Sequence, residues 1–118
     1  MAPRTILIVD DGAGFRRLAR KLLESEGYEV VGEAPDGDTA MRAARELDPD
    51  LVLLDVNLPD CNGFDLAPRL THAQPGAAII ITSTREGAEL DGLARRSGAR
   101  GFLPKAELSV AAIGELLA

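Results

Sequence analysis

Residues Leu51-Val52-Leu53-Leu54 form an uninterrupted apolar run that ends in a carboxylate, Asp55, and enters a loop, Val56-Asn57-Leu58-Pro59-Asp60-Cys61-Asn62-Gly63. A strand with one wet face alternates apolar and polar residues. A short continuous run bounded by turn residues instead fits a strand covered on both faces. Three other segments share the pattern. Thr5-Ile6-Leu7-Ile8-Val9 runs into Asp10-Asp11. Ala77-Ala78-Ile79-Ile80-Ile81-Thr82 ends in the hydroxyls Thr82, Ser83 and Thr84. Arg100-Gly101-Phe102-Leu103 leads to Pro104-Lys105. Residues 28–33 are more polar and read as a strand at an edge.

Helical spacing fills the intervals. After the turn Gly12-Ala13-Gly14, residues Phe15, Leu18, Ala19, Leu22 and Leu23 fall on one face, and Arg16, Arg17, Arg20 and Lys21 on the other. Gly27 fits the stop. A second helix opens after Asp36-Gly37-Asp38, with Ala40, Ala43, Ala44 and Leu47 inward and Pro49 at its end. A third is expected from Gly63 to Leu70, with Pro68 as a flaw that removes a backbone donor. Residues 85–97 read as a fourth helix weakened by Gly87 and Gly92, and a last one starts at Glu107 or Ser109 with Val110, Ile113 and Leu117 inward. Five strands alternating with five helices give an α/β fold, a single doubly wound parallel sheet with right-handed crossovers. Alternation alone leaves the strand order open.

The chain has 118 residues, so one domain is expected. Its net charge is −6, with three Phe, one Tyr and no Trp, which argues against phosphate-backbone binding and against a base-stacking surface. Direct nucleic-acid binding by this chain is therefore not expected. Cys61 is the single cysteine, so an internal disulfide is impossible. An exposed bystander thiol is the ordinary reading of it. No signal peptide or membrane-length apolar run is evident, which gives a cytoplasmic expectation with no membrane partner.

In a parallel sheet the strand ends share one edge, where ligands collect in open α/β folds. Asp10, Asp11, Asp55, Thr82 and Lys105 all fall there. If the first and third strands are neighbours, three carboxylates converge. Two of them about 4 Å apart repel by roughly 4 kcal/mol at an effective dielectric near 20. A hard divalent cation such as Mg²⁺ relieves this, keeps waters and accepts a phosphate oxygen. Asp55 then serves as a carboxylate nucleophile toward a phosphoryl group, with Thr82 as hydrogen-bond donor and Lys105 as counter-charge. Taken singly, each residue has an ordinary role: Asp10 and Asp11 as caps of the first helix, Thr82 as a turn hydroxyl, Lys105 as a surface lysine, Phe102 as core. The set in register points to chemistry.

The acidic pair Asp10-Asp11, the loop Asp55-Val56-Asn57-Leu58-Pro59 through Gly63, the pair Thr82-Ser83 and the segment Gly98-Ala99-Arg100-Gly101-Phe102-Leu103-Pro104-Lys105 resemble a response-regulator receiver domain of two-component signalling. The resemblance covers essentially the whole chain. It implies a flavodoxin-like fold with strand order 2-1-3-4-5, which makes the first and third strands neighbours. It implies Asp55 as phosphoacceptor, and Mg²⁺ held by Asp10, Asp11, Asp55 and the backbone carbonyl of Asn57. Thr82, Ser83 and Lys105 would contact the phosphoryl group, and Phe102 would be the switch aromatic. It further implies a sensor histidine kinase or phosphotransfer protein as donor. Downstream it implies an output domain or protein that reads the face of the fourth helix, fifth strand and fifth helix, and a homodimer on activation. The arginines of the first helix would be a docking surface for the kinase. No output domain is expected within these residues. Members of the family often carry a proline directly after the lysine; here Pro104 precedes Lys105 and Ala106 follows.

Three other functions fit less well. An aspartate-nucleophile phosphatase usually has a second acid two residues after the nucleophile, where Asn57 stands. A flavin module is disfavoured by scarce aromatics and by acids at the strand ends. A degenerate receiver that acts only by protein contacts would not need the full acidic and basic set.

Overall fold

The computed structural model describes residues 4–85 and 87–118. Five strands, β1 (Thr5–Val9), β2 (Glu29–Ala34), β3 (Leu51–Asp55), β4 (Ala78–Ser83) and β5 (Gly101–Pro104), alternate with five helices. These are α1 (Ala13–Ser25), α2 (Gly37–Leu47), α3 (Gly63–Ala73), α4 (Ala88–Arg96) and α5 (Val110–Leu117), with a short 3₁₀ turn at Lys105–Glu107 before α5. All strand pairs are parallel and the order is β2-β1-β3-β4-β5. The polar second strand is indeed an edge.

Both faces of the sheet are covered, which is why its central strands lack polar alternation. Successive residues of one strand enter opposite cores. Ile6, Ile8, Leu51, Leu53 and Ile80 pack with Ala19 and Leu23 of α1 and Ile113 of α5. Leu7, Val9, Val52, Leu54, Ile79 and Ile81 pack with Ala40, Met41 and Ala44 of α2, Leu66, Ala67 and Leu70 of α3, and Leu90 and Ala94 of α4.

Several helix faces differ from the spacing. Leu18 is 65% exposed, and Leu47 is 40% exposed while Met41 is buried in its place. Arg16 does not face outward: its guanidinium bonds the carbonyl of Asp10 and the carboxylate of Glu33. α3 runs past Leu70 to Ala73 with Pro68 inside it; Pro68 lies on the exposed side of the helix, where the core does not crowd its ring. α4 begins only at Ala88, because Gly87, at φ 151°, is its N-cap and not part of it. α5 starts after Ser109, whose hydroxyl accepts from the Ala112 N–H.

Gly63 decides how the Asp55 strand turns into α3. Its N–H donates to the Val56 carbonyl at 2.7 Å. A Cβ there would stand 2.5 Å from the Asp55 carbonyl oxygen and 3.0 Å from Val56 Cα, both backbone atoms that cannot yield cheaply. By contrast, nothing lies within 4 Å of a Cβ built on Gly14, inside α1. Urea unfolding should therefore show Gly63→Ala destabilised by about 1–3 kcal/mol through overpacking. Gly14→Ala should be stabilised by up to about 1 kcal/mol through helix propensity.

Candidate functional site

The register brings the polar strand ends together. Val9 pairs with Leu54, so Asp10 and Asp55 emerge at the same level of neighbouring strands. Asp55 pairs with Thr82, and Ser83 with Pro104, one residue before Lys105. Asp10, Asp11 and Asp55 each present a carboxylate oxygen within 4.8 Å of the others. Asp10 and Asp55 are buried, at 1% and 5% exposure, whereas Asp11 is exposed. The two acids are not caps of α1, whose N-cap is Gly12 with no side-chain cap bond.

Lys105 reaches back over this cluster. Its Nζ lies 2.5 Å from Asp10 Oδ2 and 3.7 Å from Asp55 Oδ1. The same ammonium stands 4.4 Å from the centroid of the Phe15 ring, so a cation–π contact helps hold it. Lys105 follows β5 through a 3₁₀ turn, and no cis peptide occurs among the described residues. Proline before the lysine, with none after it, thus still delivers the ammonium to the acids.

The charge balance is unfavourable to ionised Asp55. Burial first, then the Asp10 carboxylate, push its pKa from 3.8 to about 6, against the opposing pull of Lys105. At neutral pH it is nevertheless mostly ionised. Asp10 Oδ1 accepts the Gly12 N–H at 2.8 Å. Asp10 Oδ2 is buried and accepts no well-aligned hydrogen bond. Lys105 Nζ lies against it and neutralises it as an ion pair. Such an oxygen retains capacity for a further ligand. Three anionic oxygen donors around it, with no sulfur or imidazole, are the chemistry of a hard divalent cation of the Mg²⁺ type.

Thr82 and Ser83 are buried beside Asp55, at 1% and 0% exposure. The Ser83 hydroxyl accepts the Arg85 N–H at 3.1 Å and so shapes the turn after β4. Phe102 lies in the core, 9% exposed, with its N–H donating to Asp91 Oδ1 of α4 at 3.2 Å. Asn57 is exposed and bridges to Asn62 across the loop after β3. Cys61 is a free, partly buried thiol in that loop. A groove of about 680 Å³ lies elsewhere, lined by Met41, Arg45, Pro68, Arg69, His72 and Ala73. None of the strand-end residues lines it, and the chemistry of the acids outweighs its volume as a guide to the site.

Three residues around the acids escape a reading by strand ends. Phe15 supports Lys105. Arg16 donates from Nη1 to the Asp10 carbonyl at 2.6 Å and from Nε to Glu33 Oε1 at 3.0 Å, while Arg20 takes Glu33 Oε2 at 2.7 Å. The paired guanidiniums hold the Glu33 carboxyl below its usual range. Asp60 bonds the start of α2. For Phe15 and Arg16 the available signal was position: a first-turn helix residue lies over the strand end that feeds it.

Residues 6–114 match the family described as the response regulator receiver domain. The chain is 35% identical over 102 residues to the chemotaxis protein CheY of Thermotoga maritima, covering 86% of this chain and 85% of that one. It is 37% identical over 103 residues to the transcriptional regulatory protein PdtaR of Mycobacterium tuberculosis, covering 87% of this chain but only 50% of that longer protein. Among solved structures, CheY in the CheX-CheY-BeF3-Mg complex of Borrelia burgdorferi superposes with a TM-score of 0.85 at 25% identity, covering 98% of this chain and 87% of that one. A chain that matches this family from its first strand into its last helix, and folds as its solved members do, belongs to it: this is a receiver domain of the two-component response regulators.

Proposed function

We propose that Asp55 accepts a phosphoryl group from a phosphohistidine donor, on a sensor histidine kinase or phosphotransfer protein, and that the acyl phosphate controls an output domain or partner. The observation that carries this is the convergence of the Asp10, Asp11 and Asp55 carboxylates at the strand ends, with the Lys105 ammonium lying between Asp10 and Asp55. An Asp55 oxygen attacks phosphorus as the bond to the donor breaks, and the electron pair leaves with the donor. Lys105 offsets charge on the phosphoryl oxygens, and the Thr82 hydroxyl, with Ser83 beside it, donates to them. Mg²⁺, held by Asp10, Asp11, Asp55 and the Asn57 carbonyl, would supply the remaining charge neutralisation. The likeness to a CheY whose complex contains BeF3 and Mg supports that assignment.

The output is conformational. Thr82 moving toward the phosphoryl group vacates space beside β5, and Phe102 and α4 shift with it, changing the α4–β5–α5 face. This is a population shift between two packings. The chain acts on its own aspartate and has no turnover on an external substrate. Its proposed setting is the cytoplasm, and association of two copies through the changed face is part of the proposed activation. No helix of the described residues is long and apolar enough to cross a membrane.

Acetyl phosphate with Mg²⁺ should add one phosphoryl group, read by intact mass, and Asp55→Asn should add none. Lys105→Ala should keep Mg²⁺ binding yet lose most stable signalling output. Labelling of Asp55→Asn equal to the wild type would overturn the assignment, and multiple turnover on a phosphate ester would indicate a phosphatase instead.

The raised Asp55 pKa sets a pH dependence in the absence of metal. The folded state keeps a proton that the unfolded state has lost between about pH 4 and 6, so stability falls as pH rises through that window. The difference between 3.8 and about 6 amounts to roughly 3 kcal/mol at most. In EDTA, Asp55→Asn should thus be more stable than the wild type at pH 7, with the gap closing near pH 4. Adding Mg²⁺ should stabilise the wild type more than the variant. A gap independent of pH would show that the carboxylate is not strained by its neighbours.

A further inference from the structure

The loop from Val56 to Asn62 carries Asn57 between the end of β3 and the start of α3. Several of its bonds are internal: the Asn57–Asn62 bridge, Leu58 N–H to the Cys61 carbonyl at 3.2 Å, and Gly63 N–H to the Val56 carbonyl at 2.7 Å. Its near end is anchored by the Val56 N–H bond to the Thr82 carbonyl at 3.0 Å and by Val56 and Leu58 packed in the core. Its far end is held from outside by Asp60. Both carboxylate oxygens accept backbone N–H groups of the first turn of α2, Oδ1 from Gly37 at 2.8 Å and Oδ2 from Asp38 at 3.0 Å.

α2 already has a cap from its own chain. Asp36 Oδ1 accepts from the Thr39 N–H at 2.8 Å and from the Thr39 hydroxyl at 2.7 Å. Asp60 therefore takes the two amides that the N-cap leaves over, from more than twenty residues away. Sequence accommodates the approach: a Cβ on Gly37 would collide with Cys61 Sγ and stand 3.3 Å from Asp60 Oδ1. The start of α2 is tied in turn to the acids. It follows β2, whose last carbonyl, on Ala34, accepts the Asp10 N–H at 3.0 Å. Asp55, the loop, Asp60, α2, Ala34 and Asp10 thus form a closed circuit around the cluster.

We propose that Asp60 is a positioning residue for phosphoryl transfer: by clamping the loop after Asp55 to the first turn of α2, it holds the Asn57 carbonyl in register with Asp10 and Asp55. This rests on the phosphoacceptor reading above. Removing the clamp leaves the three carboxylates in place but loosens the far end of the loop that carries the fourth oxygen. Partners one step removed from a metal commonly change its affinity by 10-fold or more.

The test compares Asp60→Ala, Asp60→Asn and Asp36→Ala with the wild type. Mg²⁺ affinity is followed by amide shifts in NMR, the rate of phosphorylation by acetyl phosphate by intact mass, and hydrogen exchange at Gly37, Asp38 and Asn57. Asp60→Ala should bind Mg²⁺ about 10-fold more weakly, phosphorylate more slowly at subsaturating Mg²⁺ and exchange faster at all three amides. Asp60→Asn, which keeps one acceptor oxygen, should recover part of each loss. Asp36→Ala frays the same helix from its own side and should lower stability with Mg²⁺ affinity unchanged. Wild-type affinity and rate in Asp60→Ala, or equal losses in Asp36→Ala, would overturn the positioning role while leaving Asp55 as acceptor. Wild-type protein that neither binds Mg²⁺ nor accepts phosphate would overturn both.

Discussion

Asp10 and Asp55 are two carboxylates buried at adjacent strand ends, and the repulsion between them is the constraint from which the rest of the site follows. At an effective dielectric near 20, like charges about 4 Å apart cost roughly 4 kcal/mol. A fold selected only for stability would place apolar residues here, as it does one position earlier at Val9 and Leu54. The chain instead surrounds the pair with partial compensation. Lys105 supplies one positive charge, the Gly12 N–H one dipole, and the Arg16 guanidinium fixes the Asp10 backbone from outside. Compensation stops short, because one ammonium faces three carboxylates and Asp55 is held nearer neutrality than an ordinary aspartate. An under-neutralised anionic pocket is one that gains from a cation and from a ligand that brings a cation with it.

The sheet makes such a placement possible. Parallel strands with both faces covered bring their C-terminal ends to one edge. That edge is the one place where a strand can deliver a side chain that is buried at its base and open at its tip. The four apolar runs made this legible in the sequence, since each is too short for a helix and ends in a polar residue. The family resemblance implied that β1 and β3 are neighbours, the arrangement in which the acids converge, and the observed order agrees. Less legible was what packs against what. Leu18 and Leu47 satisfy helical periodicity but lie at the margin of stripes narrower than the pattern, so they remain in solvent. Arg16 looks like a solvated cation by spacing, but the first turn of α1 lies directly over the end of β1, and a long side chain there bends back to a carbonyl. Gly87 looks like a helix interior residue, whereas its positive φ makes it the point where α4 begins. Periodicity reports faces; it does not report which side chain an adjacent loop will bring near.

The surroundings of the acids divide into two unequal halves. On the β2 side, Arg16, Arg20 and Glu33 join α1 to the edge strand, Ala34 holds Asp10, and Asp60 clasps α2. Those of Arg16 to the Asp10 carbonyl, Ala34 to Asp10 and Asp60 to Gly37 involve backbone groups, and a buried or partly buried backbone bond is costly to leave unmade. On the β5 side the connections are sparser. α4 starts at Gly87 without a side-chain cap, and its nine residues contribute Leu90 and Ala94 to the core. Asp91 reaches Phe102 N–H at a long 3.2 Å and shares its other oxygen with Arg95.

That asymmetry has a direction. In the proposed switch, a change at Asp55 would meet both neighbours of β3, the bonded β1–β2 side and the β4–β5 side. Thr82 is the residue paired with Asp55 in the register, and Leu103 is paired with Thr82, so the register links Asp55 to the strand that carries Phe102. The bond from Phe102 N–H to Asp91 continues the connection to α4. In the proposed switch, the bonds on the β2 side would give the reacting groups fixed positions, and the α4 side would carry the change to the surface.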